Sequence, residues 1–237
     1  MSAEQGSRRA RGSLDRDSVL TAAVAVADAD GLPAVTMRRV AQKLSVEAMS
    51  LYYHVPNKAA LLEGVVEAVL AEIGAELSGQ GSCADGTGAA QWQSSVRRRC
   101  LVSREVMLRH PWAPNLITSS PAVPFGALAH YEATLATLIS GGFSYHLAHR
   151  ALHALGSMIL GFVQEPFSPS AGQDDNEADG LADSVDFATM VPHLAAMMEA
   201  EVHTAQDSSL GWCDSQAEFE FTLDLLLEGL ARRHTTE

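Results

Sequence analysis

Cysteine is scarce in this 237-residue chain. Cys83, Cys100 and Cys213 are too few and too irregularly spaced for a disulfide framework or a zinc-ligand pattern, so the fold must be held by its core. Aromatic residues make up only 6% of the chain and β-branched runs are few, while Ala and Leu are abundant. That balance argues against sheets and for helices almost throughout. No apolar run approaches the roughly 20 residues that cross a bilayer, and nothing reads as a signal peptide. A reducing cytoplasm is the expected location, with no membrane partner. Short catalytic motifs are missing too: there is no G-x-S-x-G and no H-E-x-x-H, and the glycines of Ile139 to Phe143 lack a preceding strand and the spacing of a phosphate loop. His146, His149 and His153 share a helix face without a supporting Cys or H-E-x-x-H context, so they read as packing or interface histidines. No catalytic residue, metal or cofactor is expected.

Basic residues are also in short supply, and the net charge of −13 excludes indiscriminate binding to nucleic acid. The deficit is uneven. Residues 1–65 carry eight Lys or Arg against seven Asp or Glu, whereas the rest carries eight against twenty-two. A body that repels DNA leaves the N-terminal part as the place where DNA can bind.

What is there begins at Thr36, a good N-cap for a short helix in which Val40, Ala41 and Leu44 make one buried stripe. Ser45-Val46 interrupts the pattern, and Glu47 to His54 supplies a second short helix with Leu51 facing inward. The outer face of that helix offers Ala48, Met49, Ser50, Tyr52, Tyr53 and His54, small, apolar or neutral hydrogen-bonding groups suited to base edges and phosphates in a major groove. Asn57 is an N-cap for a long third helix, so Lys58 stands in a first turn that can hold a phosphate.

The run A-Q-K-L-S-V-E-x-x-x-L-Y-x-H-V-x-N-K, Ala41 to Lys58, is similar to the signature of the tetracycline-repressor (TetR) family, and the resemblance extends from about Leu14 to Val66. It implies an all-α homodimer: an N-terminal three-helix domain with a helix-turn-helix for a palindromic operator, and a larger helical C-terminal domain for effector binding and dimerisation. By matching positions, Arg38 would reach a guanine or nearby phosphate, and Ala48, Met49, Ser50 and Tyr52 would face bases. Thr36, Met37, Tyr53, His54 and Lys58 would complete the DNA surface along the backbone. Ser45 stands where the family usually has Gly, so a turn with positive φ there would cost on the order of 1 kcal/mol.

The expected organisation is a basic arm over 1–13, the DNA-binding domain over 14–60 and the effector and dimerisation domain over 61–237. Arg8, Arg9 and Arg11 make the arm either a solvated tail or a minor-groove contact. Helices are expected over Asp15 to Asp30, Lys58 to about Leu77, Ala89 to His110, Phe125 to Ile139, Tyr145 to about Gln164, Pro192 to about His203 and Asp214 to Arg233. Between them lie a Gly-rich linker at Ser78 to Gly88, a Pro- and Ser-rich loop up to Pro124 and an acidic loop at Phe167 to Asp186. Met107, Trp112, Phe125, His130, Tyr131, Met158, Phe162 and Met197 are the groups most suited to line an effector cavity, or else to fill the core. As a set they favour a large, mainly apolar ligand with few polar anchors, a small-molecule effector such as an antibiotic or secondary metabolite. Leu152, Leu155, Ile159 and Val163, with Phe219, Leu223, Leu226 and Leu230, could build a two-fold four-helix interface. The functional expectation is a repressor released from double-stranded operator DNA by that effector. The alternative is an all-helical lyase or hydrolase carrying an accessory helix-turn-helix.

Overall fold

Asp15 starts the first helix by a reciprocal cap: its carboxylate accepts from the Ser18 N–H at 2.8 Å, and the Ser18 hydroxyl oxygen accepts from the Asp15 N–H at 3.1 Å. This helix, α1 (Arg16–Asp30), is followed by a 3₁₀ turn at Leu32–Ala34 and then by α2 (Met37–Leu44), α3 (Ala48–Leu51) and α4 (Lys58–Gly79). Next come α5 (Ala89–Arg109), α6 (Ala113–Ser119), α7 (Phe125–Ser140) and α8 (Tyr145–Phe162). A short α9 (Phe187–Met190) and a long α10 (Ser215–His234) complete the order. The computed structural model describes residues 14–79, 89–120, 122–163, 187–193, 196 and 215–236, and among them it contains helices and turns but no strand. The N-terminal arm, the linker from residue 80, the acidic loop and most of the helix expected from Pro192 lie outside the described residues. The chain divides into two compact units, Met1–His153 and Ala154–Glu237.

In the first unit, α1 buries Val19, Leu20, Ala22, Ala23, Val26 and Ala27, and α4 answers with Leu61, Val65, Val66, Val69, Leu70 and Ile73. The two cross closely because Gly64 has no side chain: a Cβ there would lie 2.5 Å from a Leu20 methyl. Gly126 serves α4 and α7 in the same way, since its Cβ would meet Leu70 Cβ at 2.8 Å. That approach brings Glu67 of α4 onto the start of α7, where its two oxygens accept from the Phe125 and Gly126 N–H groups at 2.7 and 2.8 Å. Pro124 offers no side-chain cap, so a carboxylate from the neighbouring helix supplies one.

Two boundaries differ from expectation. α4 runs to Gly79, with the Ser78 hydroxyl donating back to the Gly74 carbonyl at 2.8 Å, so the helix continues into the Gly-rich stretch. The Pro- and Ser-rich loop after Pro111 contains α6, because Pro114 falls in its first turn, where a missing N–H costs nothing.

His110 and Trp112 close α5 against α1 and α4. The His110 ring lies between Asp28, 2.8 Å from Nδ1, and Glu72, 3.2 Å from Nε2. The Trp112 indole N–H donates to the same Asp28 oxygen at 2.8 Å. Beside them, Arg109 pairs with Glu72 and Glu76.

In the second unit, α10 buries Phe219, Leu223, Leu227 and Leu230, and the Phe219 ring meets Phe162 of α8 edge-on at 5.6 Å. Among the described residues no helix is long and apolar enough to cross a membrane.

Candidate functional site

The link between α2 and α3 is a tight left-handed turn. Ser45 sits at φ 57°, ψ 41°, and its N–H returns to the Ala41 and Gln42 carbonyls, while the Val46 N–H donates to the Ala41 carbonyl at 3.0 Å. This geometry sets the angle at which α3 leaves α2. Leu51 and Val55, both essentially fully buried, then fix α3 and the turn after it to the core. The opposite face is free: Tyr53 is 90% exposed, Met49 72% and Tyr52 45%. Ala48, Ser50 and His54 are half-buried beside them. Asn57 caps α4 through its side-chain oxygen, which accepts from the Ala60 N–H at 2.9 Å, and Lys58 is exposed in the first turn.

The remaining expected DNA contacts divide. Arg38 is exposed on α2, whereas its neighbour Arg39 is held by Asp30 of α1 at 2.8 Å. Thr36 is exposed, with its hydroxyl oxygen accepting from the Arg39 N–H at 3.1 Å. Met37 is the exception, because it turns into the core and is only 9% exposed. The α2 stripe that includes Val40 and Ala41 takes it in, so Met37 supports the turn instead of lying along a DNA backbone. Arg8, Arg9 and Arg11 lie outside the described residues.

The groups expected to line an effector cavity also separate. Met107, Trp112 and Met158 are buried, and Trp112 is committed to Asp28, so these act as core. Phe162 packs on Phe219 and Tyr131 is half-buried. Met197 lies outside the described residues. Only Phe125, 76% exposed, and His130 border a described cleft. That cleft, of about 450 Å³, lies between α4, α5 and α7, with Leu70, Leu77, Arg99 and Ala133 on its walls. A second, of about 500 Å³, lies between α5 and α7 and has Trp92, Ser95, Arg99 and Thr137 on its walls. A third, of about 360 Å³, brings Leu77, Arg98 and Arg99 together. Arg99 borders all three, and the walls are more polar than the Met and aromatic set suggested. Burial pushes the His130 pKa down, and the nearby Arg99 charge adds to the effect, so the ring is neutral near pH 7. An R-R-R run on a helix reads as a solvated face from sequence, which is why Arg97 to Arg99 drew no attention there.

The expected interface residues divide by burial. Leu155, Ile159, Phe219, Leu223 and Leu230 are buried within one chain, so they cannot offer a free seam. Leu152, Val163 and Leu226 are half-buried. The apolar groups that α10 leaves outside are Phe221, 61% exposed, and Leu225, 53% exposed, one turn apart. His146, His149 and His153 are exposed, and among the described residues no cluster of three or more His, Cys, Asp or Glu side chains could hold a metal.

A rigid support helix, a left-handed turn and a short exposed helix without charge on its outer face, set on an all-helical body with open clefts, define a helix-turn-helix regulator of transcription. Residues 19–65 match the model of the bacterial regulatory proteins of the tetR family, and residues 85–234 match that of the tetracyclin repressor-like C-terminal domain. The chain belongs to the TetR family. Its members are transcriptional regulators that bind operator DNA and small-molecule effectors and act as dimers, and the enzyme alternative is set aside. A helix-turn-helix-type transcriptional regulator of Saccharopolyspora erythraea is 27% identical over 92% of this chain and 85% of its own length. The class E tetracycline repressor of Escherichia coli is 31% identical over 64% of this chain and 68% of its own. Apo ActR from Streptomyces coelicolor superposes with a TM-score of 0.69 at 26% identity, covering 95% of this chain and 98% of that one. ActR in complex with actinorhodin does so at 0.66 and 27% identity, covering 92% and 96%.

Proposed function

We propose that this chain is a repressor that binds a palindromic operator in the cytoplasm as a homodimer and leaves it when a small effector enters the clefts between α4, α5 and α7. The observation that carries the DNA half is the pairing of an exposed, uncharged α3 face with Lys58 in the first turn of α4. A solvated surface would carry Lys and Glu where α3 and the turn after it carry Met49, Tyr52 and Tyr53, and a lysine in a helix's first turn opposes the dipole unless an anion sits there. The effector half is supported by the clefts and by the solved complex of ActR with actinorhodin, which shows a relative holding a small molecule. Homodimerisation is supported by the exposed Phe221 and Leu225 pair on α10.

Fluorescence anisotropy with DNA from upstream of the chain's own gene tests the reading. Lys58→Ala should weaken binding on all sequences and lower the salt slope by about one unit, as loss of one phosphate contact requires. Ser50→Ala and Met49→Ala should change which base pairs are tolerated, by about 1–3 kcal/mol per position. Equal losses on operator and random DNA for Ser50→Ala and Met49→Ala would overturn the assignment of α3 as the reading helix.

A further inference from the structure

Arg99 lies where the three clefts meet. Its guanidinium is half-buried, and among the described residues it has neither an ion pair nor a hydrogen bond. The chain has 29 acidic residues against 16 Lys and Arg, so a half-buried arginine has no shortage of possible partners. Elsewhere Arg39 has Asp30, Arg109 has Glu72 and Glu76, and Arg232 has Glu228. The groups around Arg99 do not neutralise it. Glu67 borders the α4 side of its cleft, but both carboxylate oxygens are taken by the Phe125 and Gly126 N–H groups. Arg98 adds a second positive charge, and its own guanidinium donates to the Leu77 carbonyl at 2.8 Å. His130 faces the same cleft as a neutral ring.

A half-buried guanidinium without a counter-charge is incompletely hydrated, and an arriving anion that forms two parallel N–H···O bonds is favoured there. Arginine suits this role better than lysine because its planar fork matches a carboxylate. The hydroxyl of Ser95, which also has no hydrogen bond among the described residues, stands on the wall of two of these clefts as a further donor. Beyond the polar end, Trp92 and Ala136 line one cleft and Leu70 and Phe125 another, surfaces for a flat apolar body. We infer that the effector is an organic acid, an aromatic or polycyclic body bearing a carboxylate or comparable oxyanion, and that Arg99 is the residue that binds its charge. This inference rests on the proposed role of the clefts as the effector site, and it replaces a mainly apolar ligand with an amphipathic anion.

The test uses the full chain and matched pairs of probes: fused-ring aromatic carboxylic acids, such as 9-anthracenecarboxylate, and their neutral carboxamides, titrated by calorimetry. Wild type should bind an acid at least about tenfold more tightly than its amide. Arg99→Gln should erase that preference while leaving amide affinity within about twofold, and Arg99→Lys should restore part of it. Circular dichroism melts confirm that both variants fold. Acid and amide binding equally well to wild type, or a preference that survives in Arg99→Gln, would overturn the inference. If the amides bind as well as the acids and also displace operator DNA, the clefts remain the effector site and only the charge assignment fails. If neither class binds at millimolar concentration, the cleft assignment and this inference fall together.

Discussion

Single residues carry two consequences that can be measured without any ligand. Ser45 holds φ 57°, a conformation in which an L side chain crowds its own backbone, and its exposed side chain offers little in return. Ser45→Gly removes the crowding but loosens the unfolded chain, so a net gain of about 0.5–1 kcal/mol is expected. A shift of the urea midpoint to higher concentration at unchanged slope would show it, and a loss of stability would mean that the serine contributes something beyond its turn. Cys100 is the second case: burial pushes its thiol pKa up to about 12. In the unfolded chain the thiol ionises near pH 8.5, so above that point the unfolded state loses a proton that the folded state keeps. The sign is therefore destabilising with rising pH, by up to about 1.4 kcal/mol per unit between the two pKa values, and Cys100→Ala should flatten that part of the stability profile. The need at Ser45 was legible in the sequence, because a turn must interrupt α2 there. The burial of Met37 was not, since residues on either edge of a short amphipathic helix fit core and surface equally well until the neighbouring helices are placed.

At the scale of elements, helices were legible wherever their signals were local. Asp15, Thr36, Asn57 and Ser144 each cap the helix that follows, and apolar spacing marked the buried faces of α1, α4 and α5. One element and one register escaped for physical reasons. The α6 segment lies inside a stretch rich in Pro and Ser, whose composition reads as a loop although Pro114 is harmless in a first turn. On α10, steps of three and four residues alternate, so Leu226 and Leu227 fit one stripe equally well by spacing. Packing decided for Leu227, which is 5% exposed. The proposed effector clefts were the least legible part, because the meaning of Arg99 depends on what stands opposite it on α4 and α7. The new register makes a distinction between two variants. Leu225→Asp places a charge on the exposed face and should shift the chain from dimer to monomer in analytical ultracentrifugation, with its helicity intact. Phe219→Asp buries an unpaired carboxylate and should unfold the second unit instead. A Leu225→Asp variant that remains dimeric would remove α10's outer face from the interface.

In the molecule as a whole, α4 is the element common to both proposed activities. Its first residue, Lys58, stands at the end proposed to face DNA, and Leu70, about 18 Å further along at 1.5 Å per residue, lies on the wall of a cleft. Between them Gly64 packs on α1 and Glu67 caps α7, so a shift of α7 around a bound molecule is passed to α4 by two amide hydrogen bonds and to the head by a close helix crossing. Such a linkage can release DNA only through a difference in effector affinity between the DNA-competent and the released arrangement, commonly 1–3 kcal/mol, or about 5- to 150-fold. Thermodynamics then fixes the reverse effect: saturating operator must weaken the effector by the same factor that saturating effector weakens the operator. Any compound found to displace the DNA can be titrated calorimetrically into free protein and into protein held on excess operator. The two dissociation constants should differ by the factor measured independently from operator affinity with and without the compound. Gln in place of Glu67 should shrink both factors together, because it weakens the connection between α4 and α7 without touching the DNA-facing residues. Equal effector affinities in the free and DNA-bound protein would show that the compound displaces the operator by binding the DNA and not the protein, and that α4 does not transmit release.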